Sequence, residues 1–94
     1  MKQSGNTILI TGGGSGIGAA LAQRFHDAGN TVIVAGRRRD ALDAVIAGRP
    51  NMHAMTLDID SADAVEAFAE QVIAAHPALN VLINNAGIMQ HEDL

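Results

Sequence analysis

The sequence predicts an α/β fold, a doubly wound parallel sheet covered by helices on both faces, and three observations carry that prediction. Short β-branched and aliphatic runs alternate with longer amphipathic stretches. The connections between them are brief, and the first passage from strand to helix is made largely of glycine.

The first strand is Thr7–Thr11, a run of five β-branched and aliphatic residues that reads as buried on both faces. From Gly16 the apolar positions Ile17, Ala20, Leu21, Phe25 and Ala28 recur every three or four residues, so a helix spans about Gly16 to Ala28. Gly29-Asn30 stops it. Thr31–Ala35 is the second strand, and residues 7 to 35 have the length of one strand–helix–strand crossover, about 30 residues, which makes the two strands parallel. Asp40 is placed to cap a second helix with apolar positions Leu42, Val45 and Ile46, ended by Gly48-Arg49-Pro50. His53–Leu57 forms the third strand. Asp60 or Ser61 caps a third helix with the stripe Val65, Phe68, Ala69, Val72 and Ile73, and Pro77 forbids its continuation. Asn80–Asn84 is the fourth strand, and the order is βαβαβαβ.

Composition sets the outer bounds. The chain has 94 residues, enough for one small domain. The apolar share is 48%, but Phe25 and Phe68 are the only aromatic residues, so the core is aliphatic. Six basic and ten acidic residues give a formal net charge of −4, which argues against a nucleic-acid or anionic-membrane partner. No apolar run approaches the roughly 18 residues that span a bilayer, and Ile8–Ile10 is too short for a signal-peptide core, so a cytoplasmic protein is expected. With no cysteine, disulfides, thiolate catalysis and cysteine zinc sites are excluded. His26, His53, His76 and His91 share no metal-ligand spacing, and Met52, Met55 and Met89 read as core or strand-end filler.

The informative motif is Thr11-Gly-Gly-Gly-Ser-Gly-Ile-Gly18, between the first strand and the first helix. Glycine serves there in three ways: it turns the chain sharply, it lets backbone approach a bound pyrophosphate, and it lets helix pack on strand. Free N–H groups at the helix start favour an anion. A Walker A loop is excluded, because Ala19 stands where its lysine is needed. The dinucleotide pattern G-x-G-x-x-G/A is met by Gly14, Gly16 and Ala19, in the strand-to-helix context that pattern requires.

Three motifs in order, Thr11-Gly12-x-x-x-Gly16-x-Gly18, Asp58 after the third strand and Asn84-Asn85-Ala86-Gly87 after the fourth, resemble the short-chain dehydrogenase/reductase family. The resemblance covers nearly the whole chain. It implies a partial Rossmann-like domain over residues 1–94 and a nicotinamide dinucleotide as ligand, with hydride moving to or from a carbonyl or alcohol carbon. It also implies that Gly12, Ser15, Gly16, Ile17 and Gly18 line the pyrophosphate and adenosine ribose. Asp58 and Ile59 would flank the adenine, and Asn85, Ala86 and Gly87 would touch the cofactor near its ribose groups.

Charge then bears on which dinucleotide is bound. An acidic residue after the second strand would bond the 2′-OH of NAD(H) and repel the phosphate of NADP(H). Gly36 occupies that place, followed by Arg37, Arg38 and Arg39. Guanidinium groups favour a phosphate, so NADP(H) is expected over NAD(H), with Arg37 as main contact, Arg38 as helper and Arg39 solvated.

The family's tyrosine and Tyr-x-x-x-Lys motif have no counterpart here, since the sequence contains no tyrosine and its one lysine is Lys2. No catalytic residue is therefore assigned, and the expectation is the cofactor half of an enzyme with little activity in isolation. The alternative is a non-catalytic dinucleotide-binding module or inactive fragment that associates through the exposed strand at 80–84.

Overall fold

The computed structural model describes residues 4–12, 16–57 and 62–84. Seven elements follow one another in it: β1 (Thr7–Thr11), α1 (Gly16–Asp27), β2 (Thr31–Gly36), α2 (Arg39–Ile46), β3 (Met52–Thr56), α3 (Ala62–Ala75) and β4 (Val81–Asn84). The strands lie in the order β3-β2-β1-β4, and every pairing is parallel. From β1 the chain therefore winds outward to β2 and β3, then returns to place β4 on the opposite side of β1.

Side-chain alternation along the strands divides the aliphatic residues between two cores. On one face Ile8, Ile10, Val32, Val34 and Met52 pack with Ala22 of α1 and with Leu42 and Val45 of α2. On the other, Leu9, Ile33, Ala35 and Leu57 pack with Phe68 and Val72 of α3. The two central strands are covered from both sides, which is why their sequences are unbroken aliphatic runs rather than alternating ones. Met52 and Met55 fill strand positions in these cores, as their sequence context suggests.

Several boundaries differ from those the sequence predicts. The third strand begins one residue early, at Met52, and ends at Thr56, while the Leu57 N–H still donates to the Gly36 carbonyl at 2.8 Å and keeps Leu57 in line. The fourth begins at Val81 rather than Asn80. Asp40 is not the cap of α2: Arg38 holds that position with extended backbone and no side-chain cap, and Asp40 lies in the first turn. Its carboxylate is still well placed there, facing the positive end of the helix. The expected caps of α3, Asp60 and Ser61, lie outside the described residues.

The stripe of α3 is also narrower than expected. Phe68 and Val72 are buried, whereas Val65, Ala69 and Ile73 are exposed. A helix lying on a sheet buries fully only the residues that point straight into it, and the flanks of the stripe stay partly open. Leu82 of β4 is open on the same face, at 65% exposure, while Val81 and Ile83 turn to the other face and pack against its core.

The amino edge of the sheet is held by three asparagines, each immediately before a strand. Asn30 Oδ1 accepts from the Asn6 backbone N–H at 3.0 Å and from Asn6 Nδ2 at 2.9 Å, and Asn30 Nδ2 donates to the Phe25 carbonyl at the end of α1 at 2.8 Å. Asn80 Nδ2 donates to Asn6 Oδ1 at 3.1 Å, and Asn80 Oδ1 accepts from the Thr7 N–H at 2.8 Å. The network ties the starts of β2, β1 and β4 to one another and to α1. Asn6 and Asn30 are each 1% exposed, so these bonds replace water that the two amides have given up.

Candidate dinucleotide site

The carboxyl ends of all four strands lie along one edge because the strands are parallel. In open α/β sheets ligands bind at that edge, where the strand order reverses. Here the reversal falls between β1 and β4, because β1 lies between β2 and β4 in the sheet.

Gly12 follows β1 directly at this point. Its φ of 70° lies in the left-handed region, so glycine is required by the backbone itself. Gly16, Ile17 and Gly18 form the first turn of α1. Gly18 is buried, which suits close packing of the helix on the sheet. Gly16 is different: its φ is not positive, and a Cβ added there would meet nothing within 4 Å. Nothing in the described fold demands a glycine at Gly16, whereas a group lying against the helix start would. Ile17, an apolar side chain 48% exposed, stands beside it.

The first turn of α1 carries no acidic residue, so no carboxylate within it offsets the positive end of the helix. That donor set, with a positive-φ glycine and a second glycine open to the outside, fits the pyrophosphate of a dinucleotide.

Arg37 and Arg38 follow β2 on the same edge, and both are exposed. Arg38 Nη2 lies 3.1 Å from Asp40 Oδ2, and the hydrogen bond from Arg38 is the largest influence holding the Asp40 carboxyl below its ordinary range. Arg39 is less simply solvated than the sequence suggests. It is exposed, but its Nε reaches Asp43 Oδ1 at 2.9 Å and its Nη1 donates to the Ala54 carbonyl of β3 at 3.3 Å, which directs it along α2 toward β3.

Six other predicted contacts, Ser15, Asp58, Ile59, Asn85, Ala86 and Gly87, lie outside the described residues. Leu57 and Asn84, which precede two of these groups in the chain, are both at the carboxyl edge. Two features of the fold have no counterpart in the motif reading: the asparagine network and a pair of histidine rings, His53 and His76. The available signal for the first was positional, an asparagine immediately ahead of each of the four strands, of which Asn6, Asn30 and Asn80 join the network. That signal acquires meaning only once the topology makes those strands neighbours.

Comparison with known proteins agrees with this architecture. Residues 6–94 match the family described as short chain dehydrogenase, and the chain belongs to that family. Among its relatives is an uncharacterised oxidoreductase, DltE, of Bacillus subtilis (strain 168), 43% identical over 99% of this chain and 37% of that protein. Another is the meso-2,3-butanediol dehydrogenase of Serratia marcescens, 38% identical over 94% of this chain and 36% of the relative. Among solved structures, a 3-ketoacyl-(acyl-carrier-protein) reductase from Brucella melitensis, crystallised with NADH, superposes with a TM-score of 0.77 at 28% identity, over 86% of this chain and 34% of the other. The chain thus spans little more than a third of the length of these relatives. Among the described residues no helix is long and apolar enough to cross a membrane.

Proposed function

We propose that the chain is the NADP(H)-binding part of an oxidoreductase that exchanges hydride between a nicotinamide cofactor and a carbonyl or alcohol substrate. The observation that carries the reading is the convergence on one sheet edge of Gly12 after β1, the start of α1 with no acidic residue in its first turn, and Arg37 and Arg38 after β2. The turn and helix start would receive the pyrophosphate through backbone N–H groups, with Gly16 leaving room for close approach. Arg37 would contact the 2′-phosphate, with Arg38 assisting from its ion pair with Asp40. Ser15, Ile17, Asp58, Ile59, Asn85, Ala86 and Gly87 complete the proposed contact set. When bound, the nicotinamide supplies the hydride-carrying carbon.

Family membership and the dehydrogenase relatives support the oxidoreductase reading. The preference for NADP(H) rests on charge alone: two arginines and no carboxylate directly after β2. Titrating the chain with NADPH and NADH in parallel, following nicotinamide fluorescence, tests it. NADPH should saturate at roughly tenfold lower concentration or less, the effect of about 1.4 kcal/mol of added phosphate contact. Equal affinities would remove the arginines from the 2′-phosphate.

A further inference from the structure

At the amino edge of the sheet, opposite the proposed dinucleotide site, the rings of His53 and His76 face one another with centroids 5.0 Å apart and planes inclined by 45°. Both are mounted on fixed backbone. His53 is inside β3 in register with Ile33 of β2. His76 directly follows α3, its N–H donating to the Val72 carbonyl at 2.8 Å and its carbonyl accepting from the Leu79 N–H at 3.0 Å. No hydrogen bond from either imidazole is found among the described residues, although neutral imidazole offers both a donor and an acceptor nitrogen.

A separation of 5.0 Å also suits two imidazoles that share one metal ion. With Zn–N bonds of about 2.0–2.1 Å and a tetrahedral angle between ligands, two coordinated imidazoles have ring centroids roughly 5 Å apart. Coordination uses the neutral imidazole, whose unprotonated nitrogen supplies the lone pair. Among the described residues no third histidine, carboxylate or thiol completes a larger cluster, so water would fill the remaining positions.

We propose that His53 and His76 form a two-histidine site for a divalent transition metal of the zinc class, and that the metal fastens the end of α3 to β3. Imidazole nitrogen suits zinc, nickel and copper and discriminates against magnesium and calcium, which prefer oxygen. The site is independent of the glycine turn and of any dinucleotide, so it stands or falls apart from the proposed function.

The test uses the untagged chain and zinc chloride. One zinc should be retained per chain in equilibrium dialysis, and at about a hundredfold excess over its dissociation constant the melting temperature should rise by roughly 10–20 °C. His53→Ala and His76→Ala should each abolish both effects, whereas His26→Ala, whose ring pairs with Asp27, should retain them. In the unmutated chain zinc should move the ring proton resonances of His53 and His76 and leave those of His26 in place. Unchanged zinc retention in both variants, no retention by the unmutated chain, or a loss of stability in the variants that is the same with and without zinc would each overturn the proposal.

Discussion

Asn30→Ala is expected to lower the unfolding free energy by about 3 kcal/mol, a large effect for a substitution that removes no apolar packing. The Asn30 amide serves three partners at once: the Asn6 backbone N–H, the Asn6 side-chain amide and the Phe25 carbonyl. The Phe25 carbonyl keeps the Asn30 backbone N–H at 3.2 Å, but the two Asn6 donors lose these bonds in a region nearly closed to water. Each buried donor that loses a hydrogen bond costs about 1–3 kcal/mol, and two donors lose their bond to Asn30 Oδ1. Asn80→Ala should cost much less, about 1 kcal/mol, because Asn80 is exposed and water can replace its amide at the Thr7 N–H. Urea unfolding of the two variants measures the difference. Equal small losses would mean that the network does not hold the strand starts together.

Arg37→Asp is expected to weaken NADPH binding by roughly 10- to 100-fold while changing NADH binding by a few-fold at most. The substitution removes a guanidinium from the end of β2 and puts a carboxylate where it would repel a 2′-phosphate and accept from a 2′-hydroxyl. Arg38 cannot fully compensate, since its guanidinium already serves Asp40. The side chain of residue 37 is exposed and outside both cores, so stability should change little. Fluorescence titration of the variant with both cofactors reads the ratio. A parallel loss for NADPH and NADH would assign Arg37 to a part of the ligand common to both.

The layered architecture was legible because its signals are local. The run Thr7–Thr11 appears as a strand with its predicted bounds, since five aliphatic and β-branched residues ahead of a glycine cluster have few other uses. Residues 52–57 were harder to place: moving the strand by one residue leaves an equally apolar run, and the choice is made by pairing with β2. The periodicity of α3 gave the helix and its buried centre at Phe68 and Val72. It could not say that Val65 and Ile73 would stay exposed, because that depends on the width of the sheet beneath them.

The candidate site divides in the same way. Gly12, Gly16 and Gly18 were visible as a motif, because a turn before a helix leaves a local mark in sequence. The position of Arg37 and Arg38 on that same edge follows from the parallel topology, which the alternation of strands and helices already implied. Arg39 is exposed, as expected of a solvated arginine, but its partners, Asp43 one helical turn on and the Ala54 carbonyl in another strand, depend on where α2 begins and how it packs. His53 and His76 are 23 positions apart, and only the return of α3 along the sheet brings them together.

In the proposed complex a nicotinamide dinucleotide lies on the carboxyl edge of the sheet, across the glycine turn and the arginines after β2. Mapping backbone amide resonances during addition of NADPH tests it most directly. Saturable shifts are expected at Gly12, Gly16, Ile17, Gly18, Arg37 and Arg38, with Asn6, Asn30 and Asn80 at the opposite edge unmoved. Shifts concentrated at the asparagine edge, or saturation that leaves Gly12 and the first turn of α1 undisturbed, would contradict it.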